Sequence, residues 1–339
     1  MCKQCGLLAV SDNGAVPATH PHIGYAAMLE RFHPSEAISL ASEAEKHGFT
    51  GVMAADHFQP WTAAQGHASA AFNVLSAMGQ TTTHDLGTAT TPGYRSHPAH
   101  TAQASATLAA MYPGRHWLGI ASGEALNEHV VGQYWPEAPE RIARMFEAIE
   151  VIGKLFTGKE VKHDGRYFKL ESTRLWTLPD VPPEILVATS GPVTAKRAGH
   201  AAGGLITEGA PLDKLEGLLK KFDEGGGTGK PKVLRLHLSW AETDELAAAN
   251  ALAEWPIAGM RFGKSDIRSP FELEQLARLV RPDDFEGRML ISADLDAHRA
   301  NIQRHLELGF DRIYLHNAGR DQREFLRVFG AHVLPKLNR

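Results

Sequence analysis

Eight short runs of almost unbroken apolar residues, set apart by longer amphipathic segments, limit what this chain can become. In order they are HIGYAAM, GVMAA, LGTAT, HWLGIAS, EILVATS, GGLITEG, KVLRLHLSW and RIYLHNAG. A strand with one face in water alternates apolar and polar residues. A strand covered on both faces has no need to, and parallel sheets are covered on both faces. The segments between the runs have helical signals. In PSEAISLASEAEKHG, Pro34 suits a first turn, Ile38, Leu40, Ala41 and Ala44 form an apolar stripe, and Gly48 suits the stop. ASAAFNVLSAMGQTT, PAHTAQASATLAAMYPG and the closing DQREFLRVFGAHVL continue the rhythm. Eight strand–helix units in 339 residues predict an α/β chain of the closed (β/α)8 TIM-barrel kind rather than an open doubly wound sheet. The dinucleotide fingerprint of the open fold is missing after the first strand, where GYAAML stands. The expected division is an N-terminal extension over 1–20 and a single barrel domain over 21–339.

Two stretches break the rhythm. GKEVKHDGRYFKLESTRLWTLPDVPP predicts a hairpin and loop insertion, and EWPIAGMRFGKSDIRSP a long irregular segment after the seventh strand. The formal net charge of −4, without a Lys/Arg block, argues against a nucleic-acid partner. No apolar run reaches membrane-spanning length, and MCKQCGLLAVSDNG has no secretory pattern, so a cytoplasmic protein that does not bind membranes is expected. The two cysteines give no disulfide framework. Cys2 and Cys5 with His20 and His22 have atypical ligand spacing, and no metal is expected.

Barrels of this type place their chemistry at the C-terminal ends of the strands. That rule gathers the unusual residues. Glu30 follows the first strand, and Asp56, His57 and Trp61 in AADHFQPW follow the second. TATTPGYRSHP follows the third, SGEALNEH with Glu124 and Asn127 the fourth, TSGPVTAKRAGHAAGG the fifth and TEGAP the sixth. Each has a plainer reading. His57 could bond a carbonyl at a strand end, Asp56 could cap a turn, and Trp61 could be packing. Glu124 could simply complement a helix dipole. TSGP could be an ordinary turn, although its backbone N–H groups at a helix start also suit a phosphate.

Taken together, DHFQPW (56–61), SGEALNE (122–128), SGPVTAKRAG (190–199) and GRDQREFL (319–326) resemble the luciferase-like (β/α)8 oxidoreductases. Within these the chain looks most like the coenzyme F420-dependent glucose-6-phosphate dehydrogenase group. The resemblance runs from about Ile23 to Leu334. It implies hydride transfer between an alcohol or sugar(-phosphate) carbon and C5 of the deazaflavin, with His57 as base and Trp61 stabilising the transition state. Glu124 is then the acid and Glu30 a substrate-side carboxylate. It places cofactor contacts on Asp56, Ala89, Thr90, Thr91, Gly123, Asn127, Ser190, Gly191 and Pro192, with a cis peptide between Ala89 and Thr90. Substrate contacts fall on Lys264, Arg288 and Thr207. The group's phosphate-binding lysine after the sixth strand falls on Ala210, with Glu208 nearby, and this predicts poor use of glucose 6-phosphate. The resemblance also implies a homodimer acting on a small molecule. Flavin mononucleotide with monooxygenase chemistry is the alternative cofactor reading, and a cofactor-binding protein without catalysis is the third.

Overall fold

A computed structural model describes residues 21–338, so the 1–20 extension, Cys2, Cys5 and His20 lie outside the described residues. The strands are β1 (His22–Ala27), β2 (Gly51–Ala55), β3 (Asp85–Thr90), β4 (His116–Ile120), β5 (Val161–Asp164), β6 (Lys169–Thr173), β7 (Glu184–Ala188), β8 (Gly204–Glu208), β9 (Lys232–Ser239), β10 (Leu290–Ile291) and β11 (Arg312–Asn317). Eight of them, β1, β2, β3, β4, β7, β8, β9 and β11, pair in that order, each parallel to the next, and β11 returns to β1. These eight are the apolar runs of the sequence, and they close the expected barrel. β5 and β6 form the antiparallel hairpin of the first insertion. β10 is an addition within the irregular segment, pairing with Leu238 and Ser239 at the end of β9.

Helices surround the barrel where the stripes predicted them. The helix Pro34–Lys46 starts on its proline, takes a cap from the His33 side chain, and stops before Gly48, whose φ is +88°. Its buried residues Ala37, Leu40, Ala41 and Ala44 face the strands. None of the described helices is long and apolar enough to cross a membrane.

Inside the barrel the lower half is plugged by Ala26, Met53, Trp117, Leu186, Ile206, Val233 and Tyr314. Trp117 donates its indole N–H to the Tyr314 hydroxyl at 2.9 Å. The indole lies so close to β3 that a Cβ at Gly87 would meet it at 2.0 Å, so that position has to be glycine. One expectation fails here. No described peptide bond is cis, Ala89–Thr90 included. Ala89 pairs with Ala55 on one side and Gly119 on the other, and Thr90 with Ile120. The ladder is regular to the strand's last residue, so ordinary trans geometry satisfies it.

Candidate active site

Strand alternation carries the barrel interior upward from the plug. The inward position after Ile206 on β8 is Glu208, after Val233 on β9 Arg235 and then His237, and after Tyr314 on β11 His316. Just past β1 and β2 stand Glu30 and His57. Of these, His57, Glu208 and Arg235 line a cavity of ≈ 380 Å³ at the C-terminal end of the barrel.

Most of the expected residues meet there. Asp56, His57, Ala89, Thr90, Thr91, Gly123, Glu124, Asn127, Ser190, Thr207 and Lys264 all line the cavity, together with Glu208 and Arg235. Gly191 and Pro192 are not in its wall; they cap and begin the helix Pro192–Ala201. Trp61 is buried behind His57, its ring edge-on to the imidazole at 5.4 Å and 88°. Arg288 is separated from the rest. It lines a second cavity of ≈ 720 Å³ with Ala210 and His237, and donates to the Met260 carbonyl at 3.2 Å.

His57 Nδ1 lies 2.5 Å from Glu30 Oε1. Burial alone would push the imidazole pKa down, but the hydrogen bond and charge of Glu30 raise it above its ordinary value, with a further contribution from Glu124. Burial likewise opposes ionisation of Glu30, and His57 outweighs it, leaving the carboxyl below its usual range. Glu124 has no such partner. Burial raises its pKa, and His57 only partly offsets this.

The aspartate beside His57 does not orient it. Asp56 Oδ2 accepts from Thr90 Oγ1 at 2.8 Å and from Arg95 at 3.2 Å, and Arg95 also reaches Glu128 at 3.3 Å. Asn127 acts as a clamp on the loop: its Oδ1 accepts the backbone N–H groups of Phe58 and Gln59 at 2.9 and 3.0 Å. Gly123 has φ +85°, and a Cβ there would meet the Thr91 methyl at 2.7 Å. A side chain would therefore close the cavity wall at that point.

Sequence reasoning missed Arg235, His237 and Arg95. Arg235 hydrogen-bonds Glu208, and its charge also reaches Glu30 and Glu124. The signal was present in VLRLHLS, where Leu234, Leu236 and Leu238 alternate with Arg235 and His237. Read with a period of two, that strand sends leucines to the helices and titratable groups to the lumen.

The luciferase-like monooxygenase family matches residues 6–312. The chain belongs to that family. Among its relatives, an F420-dependent glucose-6-phosphate dehydrogenase of Microbacterium testaceum is 36% identical over 326 residues, 93% of this chain and 97% of that one. One from Mycobacterium avium is 35% identical over 329 residues, 94% of this chain and 98% of that one. Among solved luciferase-like structures, an F420-dependent secondary alcohol dehydrogenase in complex with an F420–acetone adduct superposes with a TM-score of 0.89 at 30% identity. That match covers 94% of this chain and all of the other.

Proposed function

We propose that this chain is a coenzyme F420-dependent oxidoreductase that oxidises a CH–OH group or reduces the matching carbonyl. The observation that carries the reading is His57 in the wall of the strand-end cavity, held by Glu30 at 2.5 Å, in a chain whose relatives are named for F420-dependent alcohol and sugar-phosphate oxidation. The site fits such a cofactor. Its volume falls in the range of small-molecule sites. The bare backbone at Gly123 leaves a smooth wall, and the helix Pro192–Ala201 starts beside Ser190 in that wall, where its N-terminal dipole suits an anion. Ala89, Thr90, Thr91, Gly123, Asn127, Ser190, Gly191 and Pro192 would hold it.

When bound, the deazaflavin supplies the hydride acceptor or donor. The protein moves the proton. Glu30 accepts the Nδ1–H of His57, fixing the tautomer in which Nε2 is the base. In the oxidation direction Nε2 takes the hydroxyl proton, and Glu30 stabilises the imidazolium that forms. Glu124, whose pKa burial raises, stands on the same cavity wall as the candidate acid. Trp61, edge-on to His57, fixes the ring plane from behind and keeps water off that side.

Fluorescence titration of the purified protein with F420 and with flavin mononucleotide tests the reading. F420 is expected to bind more tightly. Binding of flavin mononucleotide with none of F420 overturns it in favour of flavin chemistry. A cytoplasmic homodimer goes with the reading. Trp176 and Val181, 86% and 72% exposed after the hairpin, are apolar surface of the kind a second copy covers, and light scattering checks it.

A further inference from the structure

Deepening the oxidoreductase reading, and resting on it, we propose that the Glu208–Arg235 pair selects the substrate. The lumen takes an uncharged polyhydroxylated alcohol, or its carbonyl counterpart, and turns away phosphate esters. Glu208, the last residue of β8, sits in register with Arg235 on β9. The guanidinium is packed in the wall, its side chain 14% exposed, while the carboxylate is 56% exposed in the lumen. The pair therefore shows a ligand its negative end. Arg235 Nη2 donates to Oε1. The other oxygen, Oε2, has His237 Nε2 at 3.9 Å, too far for a hydrogen bond. One carboxylate oxygen is thus left to accept from a substrate hydroxyl.

Among the cations lining the same cavity, Arg141 and Arg235 are held by carboxylates, while Lys264 uses one of its three ammonium donors. Arg141 donates to the Pro136 carbonyl at 2.7 Å and pairs with Asp266 at 3.2 Å, and Lys264 donates to the Ile257 carbonyl at 3.2 Å. Arg288 and Ala210 belong to the second cavity. A phosphate dianion needs several charge-assisted donors converging on it. Here Lys264 has donors to spare, but a second cation, Arg235, would have to be pulled from Glu208 while the phosphate faced that carboxylate. A neutral hydroxyl only has to donate to Oε2.

Glucose and glucose 6-phosphate differ only in the phosphate, so steady-state kinetics with F420 on that pair isolates it. The wild type is expected to favour glucose in kcat/KM. Glu208→Gln frees Arg235 and removes the repelling charge. It is expected to lower kcat/KM for glucose and to raise it for glucose 6-phosphate, each by about tenfold, the effect of ~1.4 kcal/mol. Glu208→Asp, which keeps the charge, is expected to keep the wild-type order. A wild type that prefers glucose 6-phosphate, or a Gln variant with an unchanged ratio, overturns the proposal. Calorimetric titration with inorganic phosphate gives a reading independent of turnover. No binding is expected to the wild type and measurable binding to Glu208→Gln, whereas equal binding to both overturns it. If F420 fails to bind, the oxidoreductase reading falls, and the phosphate titration still decides what the pair does.

Discussion

The inward side chains of β9 are Val233, Arg235 and His237, those of β8 Ile206 and Glu208, and those of β11 Tyr314 and His316. One set of strands thus fills the barrel in two ways. Below, Trp117 and Tyr314 interlock over Gly87 with their polar atoms paired to each other. Above, His57, Glu124, Glu208, Arg235 and Lys264 line a small cavity, with Glu30 bonded to His57, and each pKa of the six moves from its ordinary value. Burial opposes charge at every one of these groups, and most find an opposite charge that offsets it. The lower half contributes stability without chemistry. The upper half gives up stability for a set of groups whose protonation is controlled. Substitutions should therefore separate cleanly between the two halves.

The largest effect is expected at the top. His57→Ala removes the proposed base, and general-base catalysis is worth roughly 10²–10⁴ in rate. Turnover should fall by that range while F420 binding changes little, and the melting temperature should fall as well, because Glu30 loses its buried partner. Unchanged turnover would make His57 a structural residue and dissolve the contrast. The counterpart below is Trp117→Ala. Loss of a buried tryptophan costs about 3–5 kcal/mol in stability, read as a lower urea midpoint, with kcat of the folded fraction nearly intact. A large fall in kcat without loss of stability would show that the plug and the site are not separable.

Glu30→Gln is a smaller change that probes the pairing itself. Glu30 raises the His57 pKa, so its loss should move the ascending limb of the pH profile of kcat/KM to lower pH, because the base is freed of its proton earlier. Turnover should drop about tenfold, the scale of one charge-assisted hydrogen bond lost to an imidazolium. A limb that stays in place would mean that another group sets it.

The contrast also shows what a sequence can reveal. The lower half and the strands were legible because packing leaves a periodic trace: eight apolar runs became eight strands, and Pro34 and Gly48 bounded a helix as expected. The loop residues of the site were legible from their clustering at strand ends and from resemblance. The partner choices were not. Asp56 adjoins His57 in the chain, yet it turns to Thr90 and Arg95, while Glu30, 27 residues away, holds the imidazole. Pairing of charges depends on which strands are neighbours and how far each loop extends, and adjacency in sequence carries neither. Glu208 shows the same limit. Near Ala210 it read as a carboxylate added where a phosphate-binding lysine was lost, and the neighbouring strand brings it Arg235, which that reading did not include.

The smallest expected effect is a pH dependence of stability from the His57–Glu30 pair. Glu30 has its pKa lowered from 4.5 on folding, so its contribution is present above pH 4.5 and is lost as pH falls through the folded value. His57 has its pKa raised from 6.5, so its contribution is present below pH 6.5 and is lost as pH rises through the folded value. Both are complete only between those two pH values. The difference in melting temperature between wild type and Glu30→Gln should therefore be greatest between pH 4.5 and 6.5 and shrink on either side, by an amount on the order of a few degrees. Trp117 hydrogen-bonds Tyr314 and neither member of the His57–Glu30 pair, so Trp117→Ala should not reproduce this maximum, and any pH dependence it has runs through Tyr314 to Asp85 and His22. A Glu30→Gln difference that is equally flat with pH would mean that the two groups do not exchange charge stabilisation in the folded chain. His57 would then need some other partner to set its tautomer.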